Sequence, residues 1–175
     1  MKNSCIAVLL TCLLLGCRKD SGDFIFEMVY PDINFEIPAG LGTFSAYVFE
    51  VDEMNSNIDF YLSSNSLDTA AILAINPSFA RIQALDPGVD FEYIREISMR
   101  ICPVGPEPCT AIDEVFFIDN FTVLEGDRID LLPSLRNAKS DLTAESFKLE
   151  VVFIFNYITP YAVPCRLDFN FQALR

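Results

Sequence analysis

The stretch Phe147-Lys148-Leu149-Glu150-Val151-Val152-Phe153-Ile154-Phe155 decides the fold class. Phe147, Leu149, Val151, Phe153 and Phe155 recur at every second residue, and only an extended chain turns such a set to one side. The closing segment repeats the pattern, with Leu167, Phe169, Phe171 and Ala173 against the polar set Arg166, Asp168, Asn170 and Gln172. The two segments are expected to pair with each other. Cys165 shares the parity of the apolar set and is expected to fill core volume as a buried thiol.

The same period runs outward from there. Phe24, Phe26 and Met28 alternate with Glu27, and Ile33, Phe35 and Ile37 alternate with Asn34 and Glu36. Tyr30-Pro31-Asp32 reads as a kink or turn between them. Residues 43–51 are apolar on both faces, which suits a central strand or a contact surface. Ile58, Phe60 and Leu62 alternate with Asp59 and Tyr61 as a further strand, whereas Leu67 to Ala74 is the one place where a short helix is locally favoured. Strands are expected at 79–85, closed by the turn Asp86-Pro87-Gly88, at 91–102 and at 112–118, with a short piece at 121–124 before the turn Glu125-Gly126-Asp127. Residues 129–142, with Pro133 inside them, read as a crossover with one helical turn. About nine strands separated by turns predict an all-β fold. The expected form is a two-sheet antiparallel β-sandwich of immunoglobulin-like or jelly-roll-like topology, one domain over residues 24–175.

The chain carries 25 acidic and 12 basic residues, a formal charge of −13, yet 51% of it is hydrophobic. That balance describes a core-forming domain with an acidic surface, and it argues against nucleic acid or other polyanions as partners. Histidine is absent, which removes Ser-His-Asp and Cys-His catalysis and histidine-based metal centres. Neither a phosphate-binding glycine loop nor a nucleophile elbow is present. Glu92 with Glu96, or Asp113 with Glu114, could be nominated as carboxylate pairs, but so many acidic residues make surface positions the expected reading. No catalytic residue is assigned, and no enzyme is expected. Calcium is the one cofactor with weak candidates. Asp119, Glu125 and Asp127, with Asn120 and Asp130 nearby, supply the oxygen donors it takes, although their spacing matches no known loop.

Cys102 and Cys109 bracket Pro103-Val104-Gly105-Pro106-Glu107-Pro108, a stiff connection whose neck a disulfide could close in an oxidising compartment. The rival arrangement pairs Cys165 with one of them.

The chain opens with Lys2, an apolar run from Ile6 to Leu15, and then Gly16 and Cys17. The run is too short to span a bilayer, which takes ~20 apolar residues, and has the length of a signal-peptide core. Leu14-Leu15-Gly16-Cys17 resembles the bacterial lipobox. The resemblance implies a signal peptide over residues 1–16, cleavage before Cys17, and acyl chains, palmitate among them, on that cysteine. More than one acyl chain is what makes membrane anchoring stable. Residues 17–23 would form the tether, and Arg18-Lys19-Asp20-Ser21 is similar to the export tether of surface lipoproteins of the Bacteroidota. Asp90, Phe91 and Ile94 within residues 89–97 resemble a set of small lipoproteins of that group, a likeness that implies a β-sandwich and transfers no active-site residue.

Expected, then, is a non-catalytic envelope lipoprotein with a structural role or one in binding a protein or glycan. It would be held at the outer membrane by lipid and face outward. The alternatives are a carbohydrate-binding accessory of a nutrient-uptake system, drawing on Tyr47, Tyr61, Tyr93, Tyr157 and Tyr161 as stacking platforms, and, more remotely, a glycosidase.

Overall fold

The strand that decides the class does form, but its neighbours are not the expected ones. The computed structural model describes residues 22–44, 46–119 and 126–175. The first sixteen residues, the lipobox with Cys17 and most of the tether lie outside them, as do residues 121–124 and Glu125. Among the described residues eight strands follow: β1 (Phe24–Ile37), β2 (Tyr47–Asn55), β3 (Ala74–Ala84), β4 (Ile94–Cys102), β5 (Glu114–Ile118), β6 (Arg128–Pro133), β7 (Ser146–Phe155) and β8 (Val163–Leu174). Two short α-helices among the described residues interrupt them, α1 (Ile58–Ser64) and α2 (Lys139–Leu142). All pairings are antiparallel, in the order β1-β8-β3-β6-β5-β4-β7-β2.

This is one sheet, not two. The expected sandwich is corrected by β6, which pairs with β3 on one side and with β5 on the other through Phe116↔Pro133 and Phe117↔Leu132. That join turns the sheet round on itself into a nearly closed barrel. Its free edges, β1 and β2, meet across a seam of side chains, where Phe35 stacks on Phe49 at 4.7 Å and the Tyr47 hydroxyl donates to Glu36 O at 3.0 Å. The likeness to sandwich-bodied Bacteroidota lipoproteins fails on the same finding, since Asp90, Phe91 and Ile94 sit at the mouth of a barrel. A period of two reports which side chains face inward, and sandwich and barrel share that alternation.

The pairing of 147–155 with 167–173 is likewise overturned. β7 lies between β2 and β4, and β8 between β1 and β3, on opposite walls. Their apolar faces meet through the interior instead, which Phe91, Phe116, Phe147, Phe153, Phe155 and Phe171 fill. Cys165 is buried among them with a free thiol, pushed up to about 12 by desolvation. The outward face carries charge: Arg81 pairs with Asp130 at 2.6 Å and Arg166 with Asp168 at 3.1 Å. Apolar inside and charged outside is the reverse of a barrel that crosses a bilayer with its strands.

Residues 24–37 are a single strand. The register shift between Tyr30 and Ile33 is a bulge with Asp32 at φ 60°, which moves the inward set from Phe26, Met28 and Tyr30 to Phe35 and Ile37. The doubly apolar segment 43–51 is neither central nor a strand throughout. β2 starts at Tyr47 and is the sheet's edge, its inward residues half-covered by the seam.

The expected strand at 58–62 is α1. Asn57 takes a left-handed conformation (φ 55°) that ends the extended run. Ile58, Tyr61 and Leu62 then pack on the core with spacings of three and four, the helical period that overlaps a two-residue alternation in so short a stretch. The helix expected over 67–74 shrinks to a 3-10 turn at Thr69–Ala71, whose Ala71 N–H is capped by the Asp68 carboxylate at 3.0 Å. β3 begins beyond it and carries Pro77 at a register shift, since proline offers no N–H to the ladder.

Alternation of strand direction sorts the connections to two ends. The described residues of the β1–β2, β3–β4, β5–β6 and β7–β8 connections gather at the mouth. The start of β1, the β2–β3, β4–β5 and β6–β7 connections and the C-terminus gather at the base.

Candidate functional site

The mouth is built on one buried threonine. The Thr159 hydroxyl donates to Pro38 O at 2.7 Å and accepts from Leu41 N at 2.8 Å. Its backbone completes the knot, receiving Gly40 N–H at 2.9 Å and donating to Leu41 O at 3.1 Å. Gly40 adopts φ +80°, which a side chain would strain. Two loops are thereby welded into one platform. Asp90 does the same for the other pair, its Oδ1 accepting from Glu92 N at 3.1 Å and Gly126 N at 3.2 Å. Phe91 N donates to Gly126 O at 3.1 Å, and the Phe91 ring is fully buried as the plug of the mouth.

Beside that plug Tyr93 lies 3% exposed, its ring stacked on Phe155 at 6.2 Å and its hydroxyl without a hydrogen-bond partner. Burial first, then the nearby Cys165, Tyr161 and Asp90, raise its pKa, so the phenol stays neutral. Outward from this rigid base project Phe44, fully exposed, then Tyr157 at 62%, Ile158 at 65%, and Tyr161 and Leu85 at about half. Large apolar side chains held on anchored loops are the chemistry of a contact surface, because the loops lose little freedom when a partner arrives.

A second concavity, of about 290 Å³, lies on the outer wall between β4, β5 and β7. Its polar centre is internally complete. Ser98 Oγ donates to Glu114 at 2.5 Å and accepts from Arg100 Nε at 3.0 Å, and Arg95 holds Glu96 at 3.2 Å. The nominated carboxylate pairs are pulled apart by such partners. Asp113 caps Thr110 and pairs with Arg136 at 3.2 Å, while Glu114 takes the serine. Glu92 stays in the mouth loop and Glu96 on the wall.

The calcium candidates divide as well. Asp119 borders the outer groove and Asp127 uses its carbonyl to receive Ala84 N–H at 2.8 Å. Asp130 is held by Arg81, whose hydrogen bond lowers its pKa against the opposing pull of burial. Glu125 and Asn120 lie outside the described residues, among which no group of three or more metal-binding side chains forms.

At the base the structure pairs Cys102 with Cys109, S–S 2.06 Å, and leaves Cys165 reduced. The closed ring places Cys109 N–H on Glu150 at 2.9 Å and Glu107 O beside the Lys148 amine at 3.3 Å. Lys148 also pairs with Glu50 at 2.6 Å, which lowers the Glu50 carboxyl and raises the amine. The signal that would have flagged this cluster is Lys148 and Glu150 themselves, polar residues inside the most apolar strand.

No protein-family description matches the chain, and no curated protein is significantly similar to it.

Proposed function

We propose that the protein is a non-catalytic binding protein of the cell envelope, held by lipid on Cys17, whose loop-built mouth contacts an envelope protein. The observation that carries the reading is the exposure of Phe44, Tyr157 and Ile158 on loops that Thr159 ties together. The mouth is also the end farther from where the chain arrives at Asp23, so a short tether at the base would leave it free to meet a partner. The filled interior supports contact by surface over capture of a small molecule inside.

A photo-crosslinking residue at position 157 in the full chain, expressed in its own envelope, tests this. Discrete protein adducts from position 157, absent from a control reporter at Arg81 on the wall, are the expected result. Equal labelling from both positions would reject the mouth. A glycan reading has one observation in its favour, the exposure of both Tyr157 and Tyr161 on the same loop. Under that reading, protein adducts disappear and Tyr157→Ala weakens retention on envelope polysaccharide.

A further inference from the structure

The opposite end carries exposed apolar side chains of its own, arranged around the point where the chain arrives. Asp23 N donates to Arg175 O at 3.0 Å and Arg175 N to Asp23 O at 2.8 Å. Gly22 lies so close that a Cβ there would come within 2.5 Å of Arg175 O. The start of the barrel is therefore clamped to its last residue, and the segment before it leaves from a fixed point on the base.

Phe24 and Leu73 stand beside the clamp, and Phe60 stands on α1 in the β2–β3 connection at the same end, each at least 60% exposed. Phe24 opens β1, and Leu73 donates its N–H to Leu174 O at 2.8 Å, next to the clamp. Phe60 is turned outward by its neighbour. Tyr61 uses the inner face of α1, stacking on Phe26 at 5.4 Å and accepting from Val29 N at 2.9 Å, which leaves Phe60 on the outer one.

We propose that this end of the barrel is a lipid-contacting surface, with Phe24, Phe60 and Leu73 entering the boundary between headgroups and acyl chains. The proposal rests on the anchoring through Cys17 put forward above. Chain length selects the occupant. From Cys17 to Gly22 the backbone reaches at most about 18 Å, so a lipid on that cysteine holds the base beside the bilayer. The wall is a poor alternative, because its Arg81–Asp130 and Arg166–Asp168 pairs would lose water on contact. With a formal charge of −13, attraction to anionic lipid is not the driving force. Apolar partition is, as for other aromatic and leucine side chains at an interface. The contact would fix the barrel upright and aim the mouth away from the membrane.

The chain contains no tryptophan, so one introduced residue reports alone. Phe60→Trp, Leu73→Trp and Tyr157→Trp are each made in the full lipidated protein and reconstituted into phosphatidylcholine vesicles with brominated acyl chains. Emission from the first two is expected to be blue-shifted and strongly quenched, while the third keeps its emission. Adding phosphatidylglycerol should not deepen the quenching. Flotation with the vesicles while positions 60 and 73 stay unquenched overturns this proposal alone, as does equal quenching at 157. Loss of flotation together with unlabelled Cys17 overturns the anchoring and the proposal with it.

Discussion

The two ends of the barrel both expose apolar side chains but are tied down in different ways. At the base, polar groups turn inward to tie connections down. Arg136 alone donates to Ile101 O at 2.8 Å, Asp113 O at 3.0 Å, Asp113 Oδ1 at 3.2 Å and Asp141 Oδ2 at 2.9 Å. Lys139 reaches Ile72 O at 2.6 Å, Ser56 reaches Ala144 O at 2.5 Å, and a disulfide closes the β4–β5 turn. Among the described residues of the mouth the ties are chiefly Thr159 and Asp90, and rings beside them point outward. The contrast places the denser set of described ties at the base, while the proposal above places recognition at the mouth. Substitutions should separate the two.

Arg136→Ala should cost the most. It strands the Asp141 carboxylate, 4% exposed, without its cation and leaves two carbonyls unpaired. Breaking such a partly buried pair costs about 3 kcal/mol, which the urea midpoint would read directly. A loss below about 0.5 kcal/mol would place the base among ordinary surface sites and dissolve the contrast.

Replacing Cys102 and Cys109 together by alanine should cost on the order of 2 kcal/mol, since the short ring restricts the unfolded chain. The folded state loses something too, because Cys109 N–H and Glu107 O serve the Glu150–Lys148 pair. Thermal unfolding with and without reductant checks this, and wild type under reduction should approach the double variant.

Cys165 supplies a pH dependence that belongs to the interior and to neither end. Its thiol is held up to about 12, against about 8.5 in an unfolded chain. Between those values the folded protein keeps a proton that the unfolded chain releases. Stability from this group is complete below the unfolded value and falls as pH rises, by at most about 1.4 kcal/mol per pH unit. Tyr30 and Tyr93, raised by burial in the same sense, steepen the fall above their ordinary range. Urea midpoints from neutral pH to pH ~10 should decline in wild type and flatten in Cys165→Ala. Parallel curves would show the thiol reached by solvent.

Thr159→Val should cost about 1 kcal/mol, from a half-buried Leu41 N–H left without its acceptor. It should also weaken partner capture at position 157 by loosening the platform, with crosslinking yield as the readout. Phe44→Ala and Tyr157→Ala come last in stability, within about 0.5 kcal/mol of wild type. Their effect is expected in capture alone. A large loss of stability from either would mean that these rings hold the fold together.

Much of the inner face was legible. Phe147 to Phe155, Leu167 to Ala173 and both halves of β1 fall on the predicted parity, because a pleated strand buried on one side must alternate. Even the bulge at Asp32 left its trace, as a change of parity across Tyr30-Pro31-Asp32. What misled was α1, where Ile58, Tyr61 and Leu62 satisfy a helix while Ile58, Phe60 and Leu62 satisfy a strand. In five residues the two periods cannot be told apart, and the decision came from the seam that Tyr61 covers. Of the mouth the sequence offered separate residues, Asp90 and Phe91 with Tyr93, Tyr157 and Tyr161, and nothing that joined them. Its platform depends on Thr159 meeting Pro38 and Leu41, more than a hundred residues away in the chain, which no local pattern announces.

By itself the sequence determined that the chain is β-rich, which residues of β1, β7 and β8 line its interior, that Cys165 shares their side, and that histidine chemistry is excluded. Each of these follows from composition or from spacing along one strand. The tertiary structure alone decided that β6 joins β3 to β5 so the sheet closes into a barrel, that β7 and β8 face each other across the core without pairing, and which loops share an end. Strand order is set by contacts between distant segments, and alternation along a strand is blind to which strand lies beside it.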